Sequence, residues 1–200
     1  MIKWIGEHIW DFVSRFRNKI IIESATGAAA GSGLGDADTA PEIHVAEING
    51  VIETLIYFDV DGLKSGGTQH DVIGDNGEAA AYLTQLTNAI NGYVIKAEIF
   101  GLEANAHPQG SNSREIDIWA NTASLTQDAT ANTGTTQQLL NPNADISPFG
   151  YKSSSAAQSW TNGLNNYYIY ITNGHASPNT ADVYTAGKYM LRLTGIKTTY

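Results

Sequence analysis

Hydrophobic residues in the first eighteen positions recur with the spacing of one helical face. The steps between the main apolar positions are three, four, three and four residues, which is the pattern of a helical seam. The seam and the side chains that widen it are Ile2, Trp4, Ile5, Ile9, Trp10, Phe12, Val13 and Phe16. Burying five large apolar side chains contributes about 7–15 kcal/mol before ordering costs. The pattern therefore predicts an amphipathic helix that needs a covering surface.

Three surfaces can cover this helix: the rest of the same chain, other copies of the helix, or a different protein. Binding to a membrane surface is disfavoured, because Glu7 and Asp11 interrupt the polar face and no polybasic cluster follows. We interpret residues 1–23 as an anchoring or oligomerisation segment, with a homo-oligomer, and a trimer in particular, favoured. The β-branched run at residues 19–23 predicts a strand or an extended exit from the helix.

Small side chains follow the helix and predict a tether over residues 24–41. No large side chain occurs between Ala25 and Gly33. The remaining residues, 42–200, are enough for one domain with its own core.

Alternating and β-branched stretches after residue 41 predict an all-β domain. Stretches 42–48 and 51–60 flank Asn49-Gly50, whose residues suit the positive φ angles of a type I′ hairpin turn. Four more stretches alternate, at 93–100, 115–119, 166–172 and 188–196.

The alternation also assigns side chains to faces. Ile116 and Ile118 are predicted to face inward, with the neighbouring acids outward, and Arg192 is predicted to lie opposite the inward side chains of its strand. One face of 93–100 carries Tyr93, Ile95, Ala97 and Ile99. One face of 188–196 carries Tyr189, Leu191 and Leu193.

Two stretches do not alternate. Residues 79–90 have helical spacing and end at the C-cap signal Asn91-Gly92, although two short strands fit the same residues. Residues 122–138 are polar and predict a long surface loop. The predicted fold is mainly β: an antiparallel β-sandwich or jelly roll with an N-terminal amphipathic helix and, if 79–90 is helical, one short internal helix.

Charge is distributed unevenly along the chain, whose net charge is −9. Residues 1–23 hold four Lys/Arg against three Asp/Glu, and the remainder holds seven against seventeen, which makes the body −10. Nucleic acid is not an expected partner, because phosphate binding needs clustered Lys and Arg. No apolar run approaches the length needed to cross a membrane. The absence of cysteine excludes a disulfide framework.

Motifs of catalysis and cofactor binding are sparse. The glycine-rich stretch 31–36 lacks the final glycine and the following helix of a nucleotide loop, and no G-x-S-x-G stretch occurs. The histidines lack metal-ligand spacing and are expected in surface or turn positions. They are His8, His44, His70, His107 and His175. We therefore expect no catalytic residues, no cofactor and no metal centre.

A structural calcium is left open at two acidic clusters, one with Asp59 and Asp61 and the other with Asp71, Asp75 and Glu78. Their carboxylate oxygens are ligands that calcium prefers. Neither cluster matches the twelve-residue calcium loop, and Asp beside Gly is also a common turn former. Ordinary turns are therefore the favoured explanation of both clusters.

Aromatic residues gather near the end of the chain. Trp160 precedes a stretch in which Tyr168 and Tyr170 share one face, opposite Tyr167 and Ile169. Such a face suits packing within a sandwich, an inter-subunit contact or a sugar-binding platform. We take Trp160, Tyr168 and Tyr170 as a candidate interface or glycan platform.

The first segment of the chain resembles a known group of proteins. Residues 4–18, with two tryptophans, a histidine and Arg15-Phe16-Arg17, resemble an N-terminal segment of predicted virion structural proteins of marine tailed bacteriophages. The body is similar to that group in four further stretches, at 71–74, 101–104, 116–119 and 184–191.

This resemblance implies a non-enzymatic particle component located in the virion and assembled in the host cytoplasm. Its partners would be other virion proteins of the capsid or tail. Head decoration is favoured over a tail fibre, because the body is compact and the chain lacks a long repetitive shaft. The alternatives are a host-surface carbohydrate-binding adhesion module and, less favoured, an enzyme such as a glycan hydrolase.

Overall fold

The computed structural model describes residues 25–26, 28–108, 115–140, 149–154, 159–174 and 180–198. The N-terminal segment predicted over residues 1–23, a helix followed by a strand or extended exit, lies outside the described residues. All eight of its candidate docking residues lie there too. The described part is mainly β and forms two antiparallel sheets. The prediction of a mainly β, antiparallel fold is confirmed to that extent.

The two sheets contain ten strands within the described ranges. In chain order these are β1 (Ala25–Thr26), β2 (Glu42–Ile48), β3 (Val51–Asp59), β4 (Thr84–Gln85), β5 (Tyr93–Gly101), β6 (Asp117–Asn121), β7 (Thr136–Leu140), β8 (Tyr151–Ser153), β9 (Tyr168–Thr172) and β10 (Lys188–Ile196). The six-stranded sheet has the order β1-β2-β3-β10-β5-β8, and the four-stranded sheet has the order β4-β9-β6-β7. The helical elements are α1 (Asn88–Asn91) and two 3₁₀ turns, Ser32–Leu34 and Thr161–Leu164.

The hairpin predicted at Asn49-Gly50 is confirmed. Ile48 and Val51 are directly paired, and the two residues between them have φ angles of 52° and 80°. Positive φ at both turn positions is what a type I′ hairpin requires. Local sequence therefore sets the register of β2 against β3.

The alternation predicted for residues 188–196 is also confirmed. The side chains of Tyr189, Leu191 and Leu193 are buried, whereas Arg192 lies on the opposite face and is partly exposed. β10 lies between β3 and β5, so these three side chains occupy the middle of the six-stranded sheet.

The face predicted for β5 is wrong in its first half. Ala97 and Ile99 are buried as predicted, but before them Val94 enters the core in place of Ile95. The cause is a β-bulge opposite Gly195, which pairs with Val94 and leaves Ile95 as an extra residue. One inserted residue reverses the faces of all residues beyond it.

The helix predicted over residues 79–90 is wrong for most of its length. Only α1 is helical, and it ends at Gly92, whose φ of 68° fits the predicted C-cap. Leu83 instead donates its backbone N–H to Ile169 of β9, and Leu86 donates to Tyr167 just before β9. Both leucine side chains are buried. The two leucines are three residues apart, as on a helical face, because an irregular extended segment places each of them in the core.

The two sheets share one hydrophobic core. Its members come from the inner faces of both sheets and belong to a single cluster of buried side chains. Those on the central strands are Ile56, Phe58, Val94, Ala97, Ile99, Ile118, Ala120, Ile169, Ile171, Leu191 and Leu193. Ile116 and Ile118 face inward, as predicted.

Residues 28–41, predicted as most of the tether, are docked on the body and do not act as a free spacer. Leu34 is buried in the shared core, and the backbone N–H of Gly35 donates to the Asp75 carboxylate at 2.8 Å. A Cβ at Gly31 would lie 1.7 Å from the carbonyl oxygen of Ala80. The small side chains therefore permit close contact with backbone, which composition alone does not distinguish from a linker.

The surface loop predicted over residues 122–138 is wrong in two respects. Its end forms strand β7, which pairs with β6. Before that strand, Gln127 and Ala131 are buried against the rest of the chain. The segment is polar, but its hydrogen bonds hold it against the body, so it forms part of the packed structure.

Candidate functional site

Strand register arranges the solvent-facing side of the six-stranded sheet, which we call the outer face, into rows. In one row, His44, Leu55, Arg192 and Glu98 lie side by side. The next row contains Glu42, Tyr57, Met190, Phe100 and Tyr151. Most exposed large hydrophobic side chains of the described residues lie on this face or at its edges, namely Ile48, Val51, Tyr57, Leu102, Tyr151 and Ile196. Clustered exposed apolar residues indicate an interaction surface.

A buried charge network lies in the middle of the outer face. The Glu98 carboxylate is almost completely buried and accepts hydrogen bonds from Lys96 Nζ at 2.6 Å and Arg192 Nε at 2.7 Å. The hydroxyl of Tyr151 donates to the same carboxylate. Burial alone raises the pKa of Glu98, but these three donors outweigh it and lower the pKa to about 2. The network therefore holds the strands of this face in a fixed arrangement.

Aromatic rings continue the network toward the sheet edge. The guanidinium of Arg192 lies 5.8 Å from the ring centroid of Phe100, within the range of a cation–π contact. Phe100 in turn packs against Tyr151, with ring centroids 4.9 Å apart. Arg192 thus binds Glu98 and an aromatic ring at once, while part of its side chain remains exposed.

A pocket of about 210 Å³ opens beside the outer face, next to β3 and β10. Its walls are mainly apolar and include Tyr57 and Leu102. At its rim, Lys188 Nζ lies 3.7 Å from carboxylate oxygens of both Asp59 and Glu103. Ligand clefts usually measure about 300–1,000 Å³, so this pocket suits a side chain of a neighbouring protein better than a small-molecule substrate.

The four-stranded sheet differs, because the chain covers its outer side with its own residues. Segments 64–82 and 122–131 pack there and bond to each other, for example from Val72 N–H to the Ala129 carbonyl at 2.9 Å. The Tyr170 hydroxyl donates to the Ala123 carbonyl at 2.7 Å, and burial raises the pKa of Tyr170 to about 12. The buried side chains of this second cluster are Val72, Ala81, Trp119, Ala131 and Tyr170.

Asp117, predicted to face outward into solvent, is completely buried beneath this cover. Its Oδ2 lies 3.4 Å from Nδ1 of His70, whose ring centroid is 5.1 Å from that of Trp119. Burial raises the pKa of Asp117 to about 7; the charge of Glu115 also raises it, and the Trp119 side chain lowers it. Because Asp117 and His70 are both buried, the pair is placed to hold the cover rather than to meet a substrate.

A serine and a histidine also meet inside the fold. Ser65 Oγ lies 3.1 Å from His107 Nε2, and both side chains are buried. Such a pair can activate a nucleophile when it opens to a substrate. Here Ser65 Oγ also accepts the backbone N–H of Asp182 at 3.3 Å, and the His107 ring packs edge-on against Tyr184. The pair therefore joins residues 64–65 to the segment that precedes β10.

The structure does not bring the predicted aromatic platform together. Trp160 lies in the core between the sheets, and its indole N–H donates to the Gln138 carbonyl at 3.3 Å. Tyr168 and Tyr170 share a face, as predicted, but that face is on the other side of the four-stranded sheet. Tyr170 is buried and Tyr168 is half-buried, with Tyr82 packed against both rings.

Three of the acids considered as calcium ligands, Asp59, Asp71 and Asp75, accept hydrogen bonds from groups of the protein itself. Asp59 accepts the backbone N–H of Asp61 at 3.0 Å, and Asp75 accepts two backbone N–H groups of the docked segment 28–41 at 2.8 Å each. Asp71 accepts one backbone N–H and one hydroxyl, while Glu78 is exposed. Among the residues that the structure describes, no three His, Asp or Glu side chains converge as a metal site.

The histidines fall into three groups. His44 is largely exposed, as expected. The surface expectation is wrong for His70 and His107, which are buried where covering segments pack on the body. His8 and His175 lie outside the described residues.

Sequence reasoning missed the burial of Glu98 and Asp117. Both occupy outward positions of alternating strands, where acids are expected in solvent. For Glu98, a signal existed: Lys96 lies two residues away on the same face, and Arg192 is an outward cation of another strand. No comparable local signal marks Asp117, because its cover comes from a distant segment.

No family model, curated protein or solved structure matches this chain. Within the described ranges, no helix is both long and apolar enough to cross a membrane.

Proposed function

We propose that this protein is a non-enzymatic structural protein of a bacteriophage particle. Residues 1–23 attach it to other virion proteins of the capsid or tail, and the acidic body, a β-sandwich of jelly-roll type, projects from the particle. Head decoration is favoured over a tail fibre, because the chain has no long repetitive shaft. The resemblance of residues 4–18 to a segment of phage virion proteins supports this assignment.

The observation that carries the proposal is the unequal covering of the two sheets. The chain covers the four-stranded sheet itself, whereas the outer face of the other sheet keeps Tyr57, Leu102 and Tyr151 exposed around the Glu98 network. A neighbouring subunit that covers this face removes apolar area from water, at about 25 cal/mol per Å². Assembly into a homo-oligomer, with a trimer favoured, accounts for such a face better than a solitary enzyme does.

Deletion of residues 1–23 tests the attachment. We expect the truncated protein to enter particles at least about tenfold less than the full chain, because loss of the seam removes several kcal/mol of binding. The matched control is the full chain with Lys3→Ala, which changes the arm outside its apolar seam. Quantitative mass spectrometry of purified particles measures how much of the truncated protein and of the Lys3→Ala variant is incorporated. Incorporation of the truncated protein at the full-chain level would contradict the proposal.

The alternative function, binding of a host-surface carbohydrate, loses support from its predicted platform. Trp160 and Tyr170 are buried on opposite sides of the four-stranded sheet, so they cannot stack together on one sugar. Tyr168 alone keeps partial exposure. A glycan array probed with the full chain and with Tyr168→Ala decides whether that residue binds a sugar.

A further inference from the structure

The pocket at the margin of the outer face combines apolar walls with acidic groups. It lies where β3 ends and β10 begins, and its volume is about 210 Å³. Lys188 is the only cationic side chain among the described residues that line it. The acids in its wall or at its rim are Glu42, Asp59 and Glu103. Three carboxylates and one ammonium group give these four side chains a formal charge of −2.

Lys188 binds the neighbouring acids only loosely. Its Nζ lies 3.7 Å from a carboxylate oxygen of Asp59 and 3.7 Å from one of Glu103, which is longer than a hydrogen bond. The Lys188 side chain is 47% exposed and has a flexible stem, so it can move further into solvent.

Asp59, by contrast, is buried and has an acceptor to spare. The residue is 1% exposed, and its Oδ2 accepts no hydrogen bond from the residues that the structure describes. A buried carboxylate oxygen without a hydrogen bond costs free energy. The pocket therefore offers an acceptor to a donor that enters it.

We propose that this pocket binds the side chain of an arginine from a partner protein. A guanidinium is planar, carries five N–H donors and is more weakly hydrated than an ammonium group, so it suits a site that is both apolar and acidic. Its plane lies against the ring of Tyr57, which lines the pocket and is 37% exposed. Its N–H groups donate to Asp59 and Glu103, which Lys188 then releases.

The size and position of the pocket favour a protein as the source of this guanidinium. The volume is below that of an ordinary ligand cleft, so the pocket takes one side chain. Exposed Tyr57 and Leu102 extend the apolar surface around it, and arginine is enriched where proteins cover such surfaces. The inference goes beyond the proposed function and does not depend on it, because it concerns only the chemistry of this pocket.

A second copy does not supply the guanidinium from the described part of the chain. The only arginine there is Arg192, which binds Glu98 and contacts the ring of Phe100. The occupant is therefore assigned to a different protein.

Two small probes test the pocket in the full chain. The cation n-propylguanidinium reproduces the end of an arginine side chain, and n-propylurea is its neutral counterpart of similar shape. Titrations at constant ionic strength, followed through amide resonances by NMR, give the dissociation constants. We expect saturable shifts at residues 57–59, 102–103 and 188–189. The neutral probe should bind at least about tenfold more weakly, because it forms no charge-assisted hydrogen bonds.

A pair of variants locates the charge that matters. Glu103→Gln should weaken binding of n-propylguanidinium at least about threefold, because it removes one carboxylate from the rim. The matched control is Glu78→Gln, which removes the same charge from an exposed acid in the segment that covers the other sheet. Its affinity should equal that of the unsubstituted chain.

Four results would overturn the proposal. Equal binding of the two probes would show that the pocket does not select a cation, and equal weakening by the two variants would reduce the effect to general attraction by an acidic body. Tighter binding of n-butylammonium, the end of a lysine side chain, would overturn the choice of arginine. The absence of saturable shifts up to about 100 mM probe would overturn binding altogether. None of these measurements uses particles, so their failure is distinct from failed incorporation.

Discussion

At the scale of single residues, two buried acids behave in opposite ways because their neighbours differ. Glu98 faces three hydrogen-bond donors, which stabilise its charge and lower its pKa to about 2 despite burial. Asp117 is buried with Glu115 nearby, and its pKa rises to about 7. Acids at outward strand positions are therefore not equivalent, and their effects on stability have opposite signs with pH.

Substitution of Asp117 by Asn tests this linkage. The folded state binds the proton of Asp117 more tightly than the unfolded state, so its stabilising contribution is present at acid pH and is lost as the pH rises from about 4 to about 7. We expect the free energy of unfolding of the unsubstituted protein to fall relative to Asp117→Asn by up to about 1.4 kcal/mol per pH unit across that window. Urea unfolding from pH 4 to pH 8 measures the difference.

Glu98→Gln is the control with the opposite sign. The lowered pKa of Glu98 gives a contribution that is present above about pH 4.5 and is lost as the pH falls toward 2. Above pH 5, the difference between Glu98→Gln and the unsubstituted protein should therefore be constant. Parallel pH curves for the unsubstituted protein and Asp117→Asn would contradict the assignment for Asp117.

At the scale of elements, one tight junction sets the shape of the six-stranded sheet. Helix α1 contacts β10 where the bulge in β5 begins, and a Cβ at Gly195 would lie 2.0 Å from the backbone oxygen of Asn91. The Asn91 side chain also donates to Thr54 Oγ1 at 2.9 Å. Glycine at position 195 therefore permits the helix, the bulge and β3 to meet.

Gly195→Ala should lower the free energy of unfolding by about 1–3 kcal/mol, because the added methyl group forces backbone apart. The matched control is Gly67→Ala, where no atom lies within 4 Å of the added Cβ. That change should stay within about 0.5 kcal/mol. Urea unfolding compares the two, and equal effects would show that the junction is not tightly packed.

At the scale of the whole molecule, the two sheets have different surroundings. One has its outer side covered by segments 64–82 and 122–131, and the other presents apolar side chains and a fixed charge network. The body is acidic, and like charges on two copies repel. We therefore propose that any association of copies uses the exposed outer face.

Tyr57→Asp should weaken self-association of the full chain by at least about tenfold, because a charge desolvated in an apolar contact costs more than 1.4 kcal/mol. Val183→Asp is the matched control, since Val183 is similarly exposed but lies outside the outer face. Sedimentation equilibrium measures association, and circular dichroism checks that both variants fold. Equal association of the two variants would show that the interface does not lie on the outer face.

Local patterns predicted some of this structure well. The hairpin at Asn49-Gly50 depends on φ angles that those two residues adopt readily, and the alternation of β10 depends on a strand with one covered face. Each signal is contained in a few consecutive residues. The eight apolar residues of the arm remain a prediction, because they lie outside the described residues.

Other features depended on contacts that no local pattern contains. Val94 replaces Ile95 in the core because a bulge forms opposite Gly195, which lies 100 positions after Ile95 in the chain. Asp117 is buried because the segment around His70 lies over it, and residues 28–41 look like a linker although they dock on the body.

The sequence by itself determined the class of fold, the hairpin register and the inward residues of the central strand, because period-two alternation and turn residues act locally. Tertiary structure alone decided which sheet face is covered and which acids are buried. Covering a face requires a segment from elsewhere in the chain, and the burial and pKa of a carboxylate depend on whatever that segment places beside it. The candidate interface on the outer face therefore depends on tertiary contacts that no local sequence pattern contains.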